Sequence, residues 1–214
     1  MTGSTTLWRI TGDVQKITLF LALRAYVRWC SRRYEKAALT TISRMNTPFF
    51  PIQFDQLKAK INYAADCPIC FSIDSIEIFP INLSHPNVGM GYKFIEDEKT
   101  FVFLTDNELG YRHRNGRTFD EYADFAKDAD LLIHDAEYTP EQYKFNRTWG
   151  HSSYIDALNL ALTARVKRLG LFHHNQDRSD GDQDAIVQEC RDIIKSRKRD
   201  MECFALTQTT ELVL

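Results

Sequence analysis

The amino-acid sequence predicts a layered α/β domain over residues 45–214, preceded by a basic helical segment over residues 1–44. Segments rich in β-branched and aromatic residues alternate with segments whose apolar residues recur at helical spacing, which is typical of a sheet covered by helices. The composition agrees, because 43% hydrophobic and 26% charged residues exclude collagen-like, low-complexity and wholly disordered chains. A chain of 214 residues is long enough for one domain with a sizeable core.

Strands and helices alternate along residues 45–214. Two helices are predicted to begin at capping boxes, because Thr118 is followed by Glu121 and Ser153 by Asp156 at the required spacing. The second and third strands are predicted to be antiparallel neighbours joined across residues 96–100. The predicted strands span residues 73–83, 91–95, 101–105, 130–133, 168–172 and 203–207, and the predicted helices span residues 118–128, 153–164 and 182–197.

The N-terminal segment differs from the rest of the chain in its charge. Residues 1–44 contain eight Lys or Arg and two acidic residues, whereas the whole chain has a net charge of −2. Arg24, Arg28 and Arg32 are spaced by four, so they would form one stripe on a helix. A solvated basic face explains such a stripe, and binding to a membrane surface or to a nucleic acid backbone is the alternative. The proline-rich and aromatic string MNTPFFP is predicted to end this segment near Arg44.

The cysteines and the hydropathy pattern indicate a cytoplasmic protein. Five cysteines form an odd, scattered set with no signal peptide ahead of them, which predicts a reducing environment. Cys67 and Cys70 form a lone CxxC pair, which lacks the two further ligands of a zinc knuckle and is interpreted as structural. The apolar run over residues 17–23 is far shorter than the roughly 20 residues that span a bilayer, so no membrane span is predicted.

Four of the six histidines lie where a predicted strand or capped helix meets a loop: His85, His134, His151 and His173. Layered α/β proteins place their sites at such positions. Neutral imidazole combined with carboxylate suits Zn²⁺, Mn²⁺ or Fe²⁺. The sequence has no phosphate-binding GxxxxGK[ST] loop, no GxGxxG and no GxSxG, so metal-dependent hydrolysis is favoured. His113 lies in a very polar run and is interpreted as a loop histidine.

Six strings in residues 45–214 resemble the second half of a metallo-β-lactamase superfamily hydrolase, of the branch near ribonuclease Z and the bacterial cyclic-nucleotide phosphodiesterases. They are MNTPFFPI, LSHPNVGMGYKF, FVFLTDNE, ADLLIHDAEYTPEQY, WGHSSYIDALNLA and VKRLGLFHHNQDRSD. The resemblance implies part of an αββα sandwich that binds zinc, or manganese or iron, as one or two ions. It also implies hydrolysis of a phosphodiester, such as a small molecule or nucleotide, by metal-activated water.

The resemblance also implies roles for particular residues. His85 and His173 would be metal ligands, and Asp106 would be the carboxylate that bridges two ions. His151 would donate a proton to the leaving oxygen while the Asp135 carboxylate holds its ring. Asp177 and Asp180 follow His173 and would support the ligands, whereas His134 and His174 receive no role.

The chain departs from the family in one respect, because it contains no H-x-H and so lacks the H-x-H-x-D-H motif that supplies most of the ligands. Catalytic zinc usually has three protein ligands and a water. His85, Asp106 and His173 supply only about two ligands for each of two ions, because the two ions share Asp106. We therefore expect weakly held ions and impaired hydrolysis. A non-catalytic remnant or interaction module of the same fold is one alternative, and a displaced start, with residues 1–44 in place of the native first half, is another.

Overall fold

The computed structural model describes residues 70–207 and 209–214. The predicted basic helix within residues 1–44, the boundary near Arg44 and the first cysteine of the CxxC pair lie outside the described residues. Cys70, the second cysteine of that pair, is exposed.

Seven strands form one sheet in which the order along the sheet equals the order along the chain. The first four strands are antiparallel neighbours, and the last four are parallel neighbours. The strands are β1 (Phe71–Ile73), β2 (Ile76–Leu83), β3 (Gly89–Glu96), β4 (Lys99–Leu104), β5 (Leu131–Asp135), β6 (Arg168–Phe172) and β7 (Glu202–Ala205).

Two tight turns fix the register of the antiparallel strands. The predicted antiparallel pairing of β3 with β4 is confirmed, and the connection is a two-residue turn in which Asp97 and Glu98 both have positive φ. Such turns match the right-handed twist of the strands that they join. The predicted strand over residues 73–83 is instead two strands, because the chain turns between Ile73 and Ile76, with Asp74 at a φ of 52°. Aspartate tolerates this left-handed conformation better than most residues.

Four helices accompany the described sheet: α1 (Phe119–Phe125), α2 (Pro140–Asn146), α3 (Tyr154–Ala164) and α4 (Asp180–Ser196). Helices begin at Thr118 and Ser153 as predicted. Helix α4 begins earlier than residue 182, because Ser179 and Asp182 form the capping box. Helix α2 was not predicted, although Thr139 and Gln142 form the same box. Among the described helices, none has the length and apolar character needed to cross a membrane.

The described core has two parts, one on each face of the sheet. On one face, buried residues of α1, α3 and α4 pack against alternate residues of β4, β5 and β6, such as Leu104, Leu132 and Leu171. On the other face, an aromatic cluster that includes Phe101 packs with Leu212 near the C-terminus. The predicted α/β class is confirmed, with α1, α3 and α4 packed on one face of a mixed sheet.

The capping box of α4 provides a stability prediction. The Ser179 hydroxyl accepts a hydrogen bond from the Asp182 backbone N–H at 3.2 Å, and the Asp182 carboxylate accepts one from the Ser179 backbone N–H at 3.3 Å. We expect Ser179→Ala to lower the free energy of unfolding by about 1 kcal/mol, because a backbone donor of the first turn loses its partner. Urea denaturation measures the change. The exposed Gln188→Ala on the same helix is the matched control, with an expected effect within about 0.5 kcal/mol; equal losses in the two variants would contradict the prediction.

Candidate metal centre

The sheet topology brings the polar strand ends together. Strand β2 is antiparallel to β3, which is antiparallel to β4, and β4, β5 and β6 are parallel. Strands β2, β4, β5 and β6 therefore run in one direction and end at the same edge of the sheet. His85, Asp106, Asp135 and His173 lie at or just beyond these four strand ends. Sites in open α/β sheets form at the carboxyl ends of the strands for this reason.

His151 reaches the same edge from the loop that precedes α3. Its Nδ1 atom lies 2.6 Å from Asp135 Oδ2, and the Asp135 side chain is fully buried. The other carboxylate oxygen accepts a hydrogen bond from the Ser152 backbone N–H at 3.2 Å. The buried carboxylate is thus fixed, and it orients the imidazole with Nδ1 towards Asp135 and Nε2 away from it.

Asp106 and His173 contact each other at the ends of β4 and β6, the two strands that flank β5. His173 Nε2 lies 3.3 Å from Asp106 Oδ1, which is also 3.9 Å from His151 Nδ1. The His151 and His173 rings stack with their centroids 4.4 Å apart. Asp106 and His173 both have left-handed backbones, with φ of 57° and 54°. Non-glycine residues adopt this conformation at a cost, and they concentrate at sites where a side chain must be aimed precisely.

Gly150 allows the His151 loop to approach His85. A Cβ atom at residue 150 would lie 2.2 Å from His85 Cδ2, and the Gly150 φ of +102° is one that only glycine adopts readily. The rings of His85 and His151 are consequently close, with centroids 5.6 Å apart.

The donor set fits a divalent transition-metal ion. His85, Asp106 and His151 can offer ligand atoms within 4.8 Å of one another, and Asp135, His151 and His173 can do the same. Imidazole nitrogen and carboxylate oxygen are the donors that zinc, manganese and iron accept in proteins. In addition, His173 Nδ1 is buried without a hydrogen-bond partner of good geometry. The side chains at this edge therefore match the chemistry of such an ion.

Glu137 is a member of the cluster that the sequence analysis missed. Its Oε2 atom lies 3.6 Å from His151 Nε2 and 3.4 Å from His173 Nδ1. Glu137 lies in a loop two residues after Asp135, so no strand or helix periodicity indicated where its side chain points. The short spacing of the two acids was the available signal.

The carboxylates raise the proton affinity of the histidine that they surround. The carboxylates of Asp106 and Glu137 raise the pKa of His173 to about 10, whereas the contact with His173 lowers the pKa of Asp106. Burial by itself lowers the pKa of His85. A cation that binds through His173 must displace the proton from its ring, because metal ligation requires neutral imidazole.

The pKa of His151 is set by two opposing effects. Burial lowers it, but the hydrogen bond to Asp135 and the charge of that carboxylate outweigh burial, so the net change is upwards. Without a bound cation, the ring therefore holds its proton more firmly than an exposed histidine.

A second buried carboxylate, Glu108, holds the His151 loop in place. Oε1 of Glu108 accepts hydrogen bonds from the Tyr143 hydroxyl and the Thr148 backbone N–H, both at 2.7 Å. Oε2 accepts one from the Gly150 backbone N–H at 2.8 Å and lies 2.8 Å from His113 Nε2. His113 was interpreted only as a loop histidine. It does lie in a loop, but its ring is largely buried against Glu108.

Four further residues considered in the sequence analysis lie outside both groups of potential ligands. His134 is fully buried, with Nδ1 2.8 Å from the Asp135 carbonyl oxygen and Nε2 3.2 Å from the Asn107 amide nitrogen. His174 Nε2 donates a hydrogen bond to the Leu206 carbonyl at 3.0 Å. Both histidines therefore have structural partners. Asp177 and Asp180 are exposed, and neither forms an ion pair with a described histidine of the cluster.

Comparisons with known proteins agree with this fold. No family model matches the chain. Ribonuclease Z of Picrophilus torridus is 32% identical over 162 residues, which cover 72% of this chain and 49% of that protein. Ribonuclease Z of Haloferax volcanii is 31% identical over 166 residues, with 58% of this chain and 52% of that protein covered. The chain thus spans about half the length of these relatives.

Solved structures show the same fold at low sequence identity. The metallo-β-lactamase fold protein YhfI from Bacillus subtilis superimposes with a TM-score of 0.61 at 16% identity, over 83% of this chain and 62% of that one. Unliganded yeast PDE1 gives a TM-score of 0.54 at 15% identity, over 77% and 54% of the two chains. The protein therefore has the metallo-β-lactamase fold, and the predicted resemblance to that superfamily is confirmed. Its sequence is ribonuclease Z-like over the part that the relatives cover.

Proposed function

We propose that this edge of the sheet is a metal-dependent phosphodiester hydrolase centre whose substrate is RNA. The observation that carries the proposal is the convergence of His85, Asp106 and His173 beside the hydrogen-bonded pair of His151 and Asp135. The similarity to proteins named ribonuclease Z favours RNA over a small phosphodiester or a free nucleotide as the substrate.

The site residues divide the work between them. His85, Asp106 and His173 would hold the ion or ions, with zinc the first candidate and manganese or iron the alternatives. A bound divalent ion lowers the pKa of the water that it binds and neutralises negative charge on the phosphoryl oxygens. His151 donates a proton from Nε2 to the leaving oxygen, because Nδ1 is engaged by Asp135. Asp135 keeps the ring in that orientation.

The number of ligands limits how firmly this site holds metal. The sequence contains no H-x-H, and three protein ligands per ion are usual in catalytic zinc sites. His85, Asp106 and His173 together provide fewer ligands than two such ions require. We therefore propose that the chain binds ions weakly and hydrolyses phosphodiesters slowly, with turnover that depends on added metal.

Metal analysis combined with a turnover assay tests this proposal. After dialysis of the purified chain, elemental analysis is expected to find less than one ion per chain. Turnover of bis-p-nitrophenyl phosphate is expected only when zinc or manganese is added, and Asp106→Ala is expected to abolish it. The exposed Asp200→Ala removes an acid outside both ligand groups and is the matched control. Turnover that persists in Asp106→Ala would contradict the assignment of Asp106 as a metal ligand. Two ions retained through dialysis would contradict the proposed weak binding of metal.

The missing H-x-H also favours a second candidate, a non-catalytic remnant or interaction module of the same fold. The two candidates differ at saturating metal. A chain that is folded by circular dichroism but gives no turnover above buffer at any zinc or manganese concentration would support the remnant.

A further inference from the structure

Helix α2 and two loops beside the metal centre expose three aromatic side chains. Phe145 is 86% exposed, Trp149 is 64% exposed and Tyr111 is 38% exposed. Helix α2, which carries Phe145, has no buried residue, so this part of the chain contributes little to the core. Groups of exposed apolar side chains mark binding surfaces more often than single exposed ones do. Phe145 and Trp149 lie four residues apart along the chain.

The loop that carries Tyr111 contacts the segment that carries Arg147. The Arg147 guanidinium donates a hydrogen bond to the Gly110 carbonyl at 3.4 Å and lies 5.6 Å from the Tyr111 ring centroid, within the range of a cation–π contact. We call this the arginine–aromatic surface, formed by Tyr111, Arg112, Arg114, Phe145, Arg147 and Trp149.

The arginine–aromatic surface is continuous with the metal centre. Trp149 immediately precedes Gly150, the residue that contacts His85, and His151 follows directly. The Glu108 carboxylate accepts hydrogen bonds from the backbone N–H groups of Thr148 and Gly150, the residues on either side of Trp149. The Trp149 backbone is therefore held by the same buried carboxylate that fixes the His151 loop.

The charge of this surface favours an anionic ligand. Arg112, Arg114 and Arg147 are exposed, and within residues 70–207 and 209–214 none of the three is in an ion pair. Exposed arginines without acidic partners concentrate positive potential in a chain whose net charge is −2. Guanidinium groups bind phosphate through paired hydrogen bonds.

We propose that the arginine–aromatic surface binds a single-stranded segment of RNA next to the metal centre. Nucleobases stack on Trp149 and Phe145, and the phosphates pair with the three arginines. Aromatic platforms interleaved with cationic side chains are how proteins hold single strands, because every base offers a face for stacking. The inference rests on the proposed function, since it names the surface that binds the RNA substrate.

Binding of a labelled oligonucleotide tests the surface separately from hydrolysis. Fluorescence anisotropy with a fluorescein-labelled oligouridylate is measured on the full chain carrying Asp106→Ala, so that cleavage plays no part. Adding Phe145→Ala and Trp149→Ala is expected to weaken binding by at least about fivefold for each lost stacking contact. Adding Arg147→Gln is expected to weaken binding and to reduce its dependence on salt.

Two controls decide where the RNA binds. The double variant Lys195→Gln, Arg197→Gln removes two exposed cations at the C-terminal end of α4, outside the arginine–aromatic surface. It is expected to leave the affinity for the oligouridylate unchanged. Arg24→Gln, Arg28→Gln and Arg32→Gln test the basic N-terminal stretch. Unchanged affinity in the aromatic variants, or a loss confined to the N-terminal variant, would overturn the proposal and leave a protein as the alternative occupant of the surface. Failure of the proposed function appears separately, as absent turnover of bis-p-nitrophenyl phosphate by the unsubstituted chain.

Discussion

Under the proposed function, replacing His151 by alanine is expected to slow the metal-supported cleavage of RNA by about 10²- to 10⁴-fold, the usual contribution of a positioned general acid. The same variant is expected to slow the hydrolysis of bis-p-nitrophenyl phosphate far less. The ribose oxygen leaves RNA as a strong base that must be protonated, whereas p-nitrophenolate leaves without a proton. Initial rates of both substrates at saturating metal measure the difference.

The same experiment distinguishes a proton donor from a metal ligand at this position. His151 belongs to both groups of potential ligands, so it could bind an ion itself. A ligand role would lower the metal content of His151→Ala and slow both substrates equally, which would contradict the proton-donor assignment. Asp135→Asn is the companion variant. It removes the charge that holds the ring while leaving the ring present, so we expect a smaller loss with the same preference for the RNA substrate.

Replacing Glu108 by alanine is expected to lower the free energy of unfolding by about 3–5 kcal/mol, because several donors lose their acceptor and each buried donor left unpaired costs about 1–3 kcal/mol. The Glu108 side chain is fully buried. Its loss leaves the Tyr143 hydroxyl, the backbone N–H groups of Thr148 and Gly150 and the His113 ring without their acceptor. Urea denaturation monitored by circular dichroism measures the change.

Tyr143→Phe is the matched control for this network. It removes one of the four donors but keeps the ring and the carboxylate, so we expect a loss of about 1 kcal/mol. If Glu108→Ala is no more destabilising than Tyr143→Phe, the loop that carries His151 does not depend on this carboxylate. Metal-supported turnover of the folded fraction of Glu108→Ala is expected to fall as well, because Gly150 and His151 lose their fixed position.

The sequence by itself determined most of the described elements and several residues at their ends. Helix starts at Thr118 and Ser153 could be predicted because a cap is a contact between residues three apart, and nothing distant needs to be known. His85, Asp106 and His173 could be singled out because each follows a strand-forming run. Helix α2 was missed although Thr139 and Gln142 carry the same local signal, since its helix buries no apolar face that periodicity could reveal.

Only the tertiary structure decided which polar residues share the site. Glu108 is 40 residues from Thr148 and 42 from Gly150, and no local pattern pairs them. Glu137 lies in a loop, where side-chain direction follows from the fold and not from a repeat. Phe145 and Trp149 have the hydrophobic character of core residues, yet they are exposed because the core closes without them. Hydrophobicity is a property of the residue, but burial is a property of the packed chain, and that difference separates what could be predicted here from what could not.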